Sequence, residues 1–141
     1  MKLLIAILLL FLQSSTHPDK WECCKDSKPL PDEQLVRVKP SELKERVVAC
    51  AVPRLPATFD GQSTVIFQVQ IDEDGSIRCA RVISGGRNFI MKAAAIEAAK
   101  EWKFEPLIVE GHAKPYVGIL ALLVSWDTEK SGKQCPKEKR R

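Results

Sequence analysis

"VIFQVQIDEDGSIRCARVISGG", residues 65–86, decides the fold of this chain. Val65, Phe67, Val69 and Ile71 alternate with Ile66, Gln68 and Gln70. A two-residue period rich in β-branched side chains specifies a half-buried strand. "DEDG" follows, and Asp74-Gly75 accepts the positive φ angles of a tight hairpin turn. A second strand begins near Ser76, with Ile77, Ala80 and Val82 as its apolar positions. The odd step from Ile77 to Ala80 changes the phase and predicts a β-bulge.

Downstream, "FIMKAAAIEAAKEWKF" reads as a helix over 89–104, because alanine favours helix strongly. Met91, Ala94, Ala95, Ala98 and Trp102 form its apolar stripe, and Pro106 forbids continuation. "VEGHAKP" is a turn. "YVGILALLVSW", residues 116–126, is a third strand, apolar on both faces. Upstream, "SELKERVVACAV" starts a short helix with Ser41 as N-cap and Leu43, Val47 and Cys50 on one face. Val47-Val48 keeps a strand reading open for its second half. Pro18, Pro29, Pro31 and Pro40 punctuate a polar stretch without apolar period.

The element order predicts an α+β fold. An antiparallel three-stranded sheet carries one main helix on one face (ββαβ), with a short N-terminal helix or strand before it. The domain spans 41–128, between a flexible arm at 17–40 and a basic tail at 129–141.

With 141 residues the chain holds one ordinary domain. "MKLLIAILLLFLQSST", residues 1–16, has a basic start, an apolar run of about ten residues and a polar end, the layout of a secretory signal peptide. A membrane-spanning helix needs roughly 20 apolar residues. Export places the protein in the periplasm or outside the cell, with inner-membrane anchoring if the leader stays attached. The net charge of +4 is mild and does not indicate nucleic-acid binding. Five cysteines follow the leader: Cys23, Cys24, Cys50, Cys79 and Cys135. In an oxidising compartment all five are disulfide candidates, and an odd count leaves one unpaired within the chain. A Cys50–Cys79 bridge ties the first element to the sheet, with a buried free thiol as its rival. Cys135 then takes Cys23 or Cys24.

These residues resemble a known family, the C-terminal domain of the TonB energy transducers. That family runs Pro-x-Tyr-Pro, a Val-x-Phe-x-Val strand, Asp-x-x-Gly, a Val-x-Val strand ending in Ser-Gly, an alanine-rich helix ending Trp-Arg-Phe-x-Pro, a Gly-x-Pro turn and a last strand. The corresponding text here is "PRLP", "VIFQVQIDEDGSI", "ARVISGG", "AAAIEAAKEWKFEP" and "EGHAKPYVGILALLVSW", covering roughly Ser41 to Trp126. Leu55 replaces the tyrosine, and one extra residue separates Gly111 from Pro115. About twenty-five residues link leader and domain, less than about 90 Å even when extended.

The resemblance implies peptide recognition by β-augmentation: the last strand bonds an extended segment of an outer-membrane receptor through its main chain. The corresponding partner-binding residues are Tyr116, Val117, Ile119, Ala121 and Leu123, the last four sharing a face. Burial of both faces, one by the helix and one by a homodimer mate or the N-terminal arm, is the competing reading. Membrane contact is left open, through the "KEKRR" tail. A membrane-anchored energy-transduction component is a second functional reading, and a thiol-disulfide protein using Cys23-Cys24 a third. A cystatin-like inhibitor is more remote, because "QVQID" sits inside a strand.

Nothing in the sequence calls for a cofactor, a metal ion or a catalytic residue. Asp72, Glu73 and Asp74 form a turn without the further ligands of a calcium loop. His112 has no nucleophile in a recognisable motif.

Overall fold

The computed structural model describes residues 20–24, 26–56, 58–86 and 88–135. The expected hairpin is its centre. Strands Gln62–Ile71 and Ile77–Ser84 pair antiparallel around the Asp72–Gly75 turn. Gln70 pairs with Cys79 and Ile71 with Ile77, so Arg78 is the extra residue of a bulge. The bulge aims Arg78 at two anchors. It pairs with Asp72 at 3.0 Å and donates from Nε to the Lys28 carbonyl at 2.7 Å. The turn itself is locked by Asp74, which accepts from the Ser76 hydroxyl and N–H. Those bonds hold the Asp74 carboxyl below its usual range. Gly75 has a φ of +88°, and a side chain there would collide with the Phe104 carbonyl.

In chain order the elements are β1 (Glu22–Cys23), a single 3-10 turn at Asp32–Gln34, β2 (Val36–Arg37), α1 (Pro40–Glu45), β3 (Val47–Ala49), β4 (Gln62–Ile71), β5 (Ile77–Ser84), α2 (Phe89–Lys100), β6 (Lys103–Phe104), β7 (Leu107–Val109), β8 (His112–Lys114), β9 (Tyr116–Ser125) and α3 (Thr128–Gly132). The main sheet runs β1-β5-β4-β9-β2. Its central three strands are the antiparallel trio expected from the sequence. The sheet has five strands rather than three, because the N-terminal segment adds a short strand at each side.

The segment expected to be a flexible arm is therefore bonded into the sheet over its described part. β1 lies antiparallel on β5, and β2 lies parallel on β9. Between them, Gln70 accepts from the Leu30 N–H at 2.8 Å and donates to the Leu30 carbonyl at 3.0 Å. Gln70 is only 1 % exposed. A buried amide without partners costs about 1–3 kcal/mol, so the arm is what makes this glutamine tolerable. Arg81 bonds Gln68 at 2.8 Å and lies over the Trp21 ring at 4.7 Å. The arm thus covers the second face of the hairpin.

The first face carries the core. Val65, Phe67, Val69 and Ile71 are fully buried under Met91, Ala95, Ala98 and Ala99 of α2. Small side chains let this helix lie close to the strands. Asn88 caps it by accepting from the Met91 N–H. The helix stops at Lys100, earlier than Phe104, because Lys103–Phe104 pairs with β3. Trp102 stays in the core and donates from Nε1 to the Ala51 carbonyl at 2.9 Å. The N-terminal element is helix and then strand. Its N-cap is Lys39 with Pro40 at the first helical position, rather than Ser41. "VEGHAKP" is a small hairpin, β7 with β8, turning at Glu110-Gly111.

The cysteines pair as Cys23–Cys79 and Cys50–Cys135, with Cys24 free. This corrects the expected Cys50–Cys79 bridge and the assignment of Cys135 to Cys23 or Cys24. Cys79 lies in β5 directly opposite Cys23. Cys50 sits beyond β3, beside the β9 flank that Cys135 approaches. β4 lies between those two sides, so two strand spacings of about 10 Å separate them, beyond disulfide reach. Cys23 and Cys24 do not form a vicinal redox pair, since the Cys23 sulfur is bonded to Cys79. The segment expected to be a basic tail from residue 129 forms α3 and a docked turn to Cys135. Residues 136–141 and the expected leader at 1–16 lie outside the described residues.

Two outcomes test this arrangement. Peptide mapping without reduction should recover Cys23–Cys79 and Cys50–Cys135, with Cys24 alone alkylated. Replacing the first pair with Ala should lower stability in urea unfolding by about 4 kcal/mol, the loop-entropy value for a 56-residue separation. At Gly118, a Cβ would stand 2.9 Å from Leu43 Cδ2 and 3.1 Å from Val38 Cγ2. Gly118→Ala should therefore cost about 1–3 kcal/mol in the same assay.

Candidate functional site

The last strand, β9, is bonded to β4 along its whole length, from Gln62↔Ser125 to Ile71↔Tyr116. Its other flank has two different neighbours along its length, with a gap between them. At the start, β2 pairs with Tyr116 and Val117; Val36 N–H bonds the Pro115 carbonyl and Val38 N–H the Val117 carbonyl. Near the end, Leu123 donates to Gln134 Oε1 at 2.7 Å and accepts from Gln134 Nε2 at 3.0 Å. Outward main-chain groups in a strand recur every second residue. With residues 115, 117 and 123 facing outward, the N–H and C=O of Ile119 and Ala121 face outward too. Among the described residues none bonds these four groups. The expectation of a free edge along all of β9 is thereby narrowed to Ile119–Ala121.

This opening is the floor of an apolar groove of about 470 Å³. Pro40, Leu43, Val47, Trp102, Leu120 and the Gln134-Cys135 pair line it together with the window residues. Lys44 and Lys133 also line it. The geometry follows from Gly118. Without a side chain there, Leu43 descends onto β9 and α1 packs against the strand.

The five residues expected to contact a partner are placed differently. Tyr116 is wholly buried, its hydroxyl donating to the Glu105 carbonyl at 2.8 Å. Burial pushes its pKa up to about 12, against a smaller opposing pull from Arg46, whose guanidinium lies 5.9 Å from the ring centre. Tyr116 is a structural anchor. Val117 is buried, and its main chain is paired with β2. Ile119 is half-buried and Ala121 exposed, both on the open window. Leu123 is half-buried with its main chain taken by Gln134. The sequence reading missed Gln134, Leu43 and Trp102 as parts of this site. The one available signal was "KQC", a glutamine beside a cysteine able to tether it.

Chemistry elsewhere is sparse. Among the described residues no group of three or more His, Cys, Asp or Glu side chains could hold a metal ion. None of the described helices is long and apolar enough to cross a membrane. His112 lies exposed in β8.

A family model described as "Gram-negative bacterial TonB protein C-terminal" matches residues 37–120, more than half of the chain. No curated protein and no solved structure matches.

Tyr116 is the single tyrosine of the chain, which makes its anchoring measurable. Its folded pKa lies above the unfolded value of 10.0, so folded protein holds the phenol proton more tightly. Stability from this group is fully present below pH 10 and is lost as pH rises towards about 12. Phenolate absorbance should therefore titrate near 12, and Tyr116→Phe should remove this group's alkaline loss of stability. The same variant should cost about 1 kcal/mol at neutral pH through the lost hydrogen bond.

Proposed function

This chain belongs to the TonB C-terminal family, and on that premise we propose that it is a non-catalytic protein-binding module of the cell envelope. It takes an extended segment of a partner protein, such as an outer-membrane receptor, against the open window of β9. Domains of this family are non-enzymatic interaction modules of the envelope. The observation that carries the reading is the pair of outward N–H and C=O groups at Ile119 and Ala121, set in an apolar groove. Unpaired strand edges of this kind recruit another strand, while side-chain pockets beside them select its residues.

The window is short. The open stretch Ile119–Ala121 faces about three residues of an incoming strand, roughly 10 Å at 3.3–3.4 Å each, without disturbing either neighbour. The groove favours an alternating apolar segment, and Lys44 and Lys133 favour acidic residues next to it. Affinity from so few main-chain bonds is modest, which suits a contact that must be made and broken.

Ile119→Pro tests the reading cleanly. The Ile119 N–H faces away from β4, so proline removes an outward donor and leaves the β4 ladder its bonds. In pull-downs from envelope extract, the wild-type chain should retain a partner that Ile119→Pro loses by at least about tenfold, the effect of about 1.4 kcal/mol. Equal retention of the same partner by both proteins would mean that strand pairing is not the mode.

A further inference from the structure

Resting on the strand-addition reading above, we propose that the C-terminal segment is a built-in cap on the docking strand. The Gln134 carboxamide stands in for an incoming backbone at Leu123, and an extended ligand must displace it to pair beyond Ala121. The carboxamide presents one donor and one acceptor on the same side, as a residue of an antiparallel neighbour does. Both are used: Leu123 N–H to Oε1 at 2.7 Å, and Nε2–H to the Leu123 carbonyl at 3.0 Å.

The segment is built to deliver this side chain. Asp127 caps α3 by accepting from the Glu129 and Lys130 N–H groups. The helix turns the chain back, so that Gln134 stands beside a residue eleven positions earlier. Cys135 then fixes the segment to Cys50, which packs against the core. The tether holds the carboxamide near Leu123 without making its bonds permanent. Gln134 is only half-buried and uncharged, so water or a peptide can replace it. Its removal adds the N–H and C=O of Leu123 to those of Ile119 and Ala121, and lengthens the usable edge to Leu123. The cap also protects the strand from pairing with a second copy, the hazard of any long free edge.

The test uses the full disulfide-bonded chain and the peptide acetyl-Thr-Val-Thr-Val-Thr-Val-Thr-amide as a strand-forming probe. In the wild type the Leu123 amide should exchange with solvent more slowly than that of Ala121. In Gln134→Ala it should exchange as fast as Ala121, and the peptide should bind about tenfold more tightly. The paired Cys50→Ser, Cys135→Ser variant keeps Gln134 but loses the tether, and should move both readouts in the same direction. Unchanged Leu123 exchange in Gln134→Ala would show that no cap exists. A freed Leu123 amide with equal peptide affinity in both proteins would show that the contact does not gate the edge. Peptide binding that survives Ile119→Pro would overturn the proposal together with the strand-addition reading, whereas Leu123 exchange reports the cap without any ligand.

Discussion

The antiparallel ladder between β4 and β9 is the constraint on which the rest of the structure depends. Every residue from Gln62 to Ile71 has a partner between Ser125 and Tyr116. One side of β9 is thereby saturated, and the alternation of side chains is set for both strands at once. Val65 and Phe67 meet Leu122 and Leu120 under α2, while Gln68 and Ile66 lie opposite Ile119 and Ala121 on the other face. A slip of one residue would send these sets to the wrong faces. The remaining flank of β9 is therefore the side on which its pairing can vary. There a parallel strand, an open window and a side-chain clip succeed one another.

Both cross-links join this framework to segments that lie outside the family match. Cys79 and Cys50 fall within residues 37–120, whereas Cys23 and Cys135 fall outside it. Hydrogen bonds from the same flanking segments reinforce the sheet. Leu30 serves Gln70 from the N-terminal side, and Gln134 serves Leu123 from the C-terminal side. A small core gains from such tethering, because each bridge closes a long loop that the unfolded chain would otherwise leave free. The additions also shape the sheet's exposed surface. They pack on the second face of the hairpin, and they set the length of β9 edge left open.

The parts legible in the sequence were those with a sustained period. The β4–β5 hairpin, its bulge near Arg78, the alanine-rich helix and the third long strand all follow from spacing that a handful of residues cannot imitate. β1 and β2 are two residues each and carry no period, so a proline-punctuated stretch hid them. Gln68 and Gln70 looked like solvent-facing positions of a half-buried strand. Their burial depends on Arg81 across the hairpin and on Trp21 and Leu30, which the chain brings from far away. The disulfide pairing depended on which side of the sheet each cysteine occupied, and no local pattern states that. Of the five residues expected at the site, Ile119 and Ala121 face the window. Tyr116 and Val117 are anchors, and Leu123 is engaged by a glutamine from beyond the strand.

The central claim is that β9 is open only between β2 and Gln134, and amide exchange resolved along that strand in the unmodified protein tests it most directly. The account predicts fast exchange at Ile119 and Ala121, between neighbours Leu120 and Leu122 whose amides face β4 and exchange slowly. Protection of Ile119 and Ala121 equal to that of Leu120 would contradict it, because the window would then already be filled.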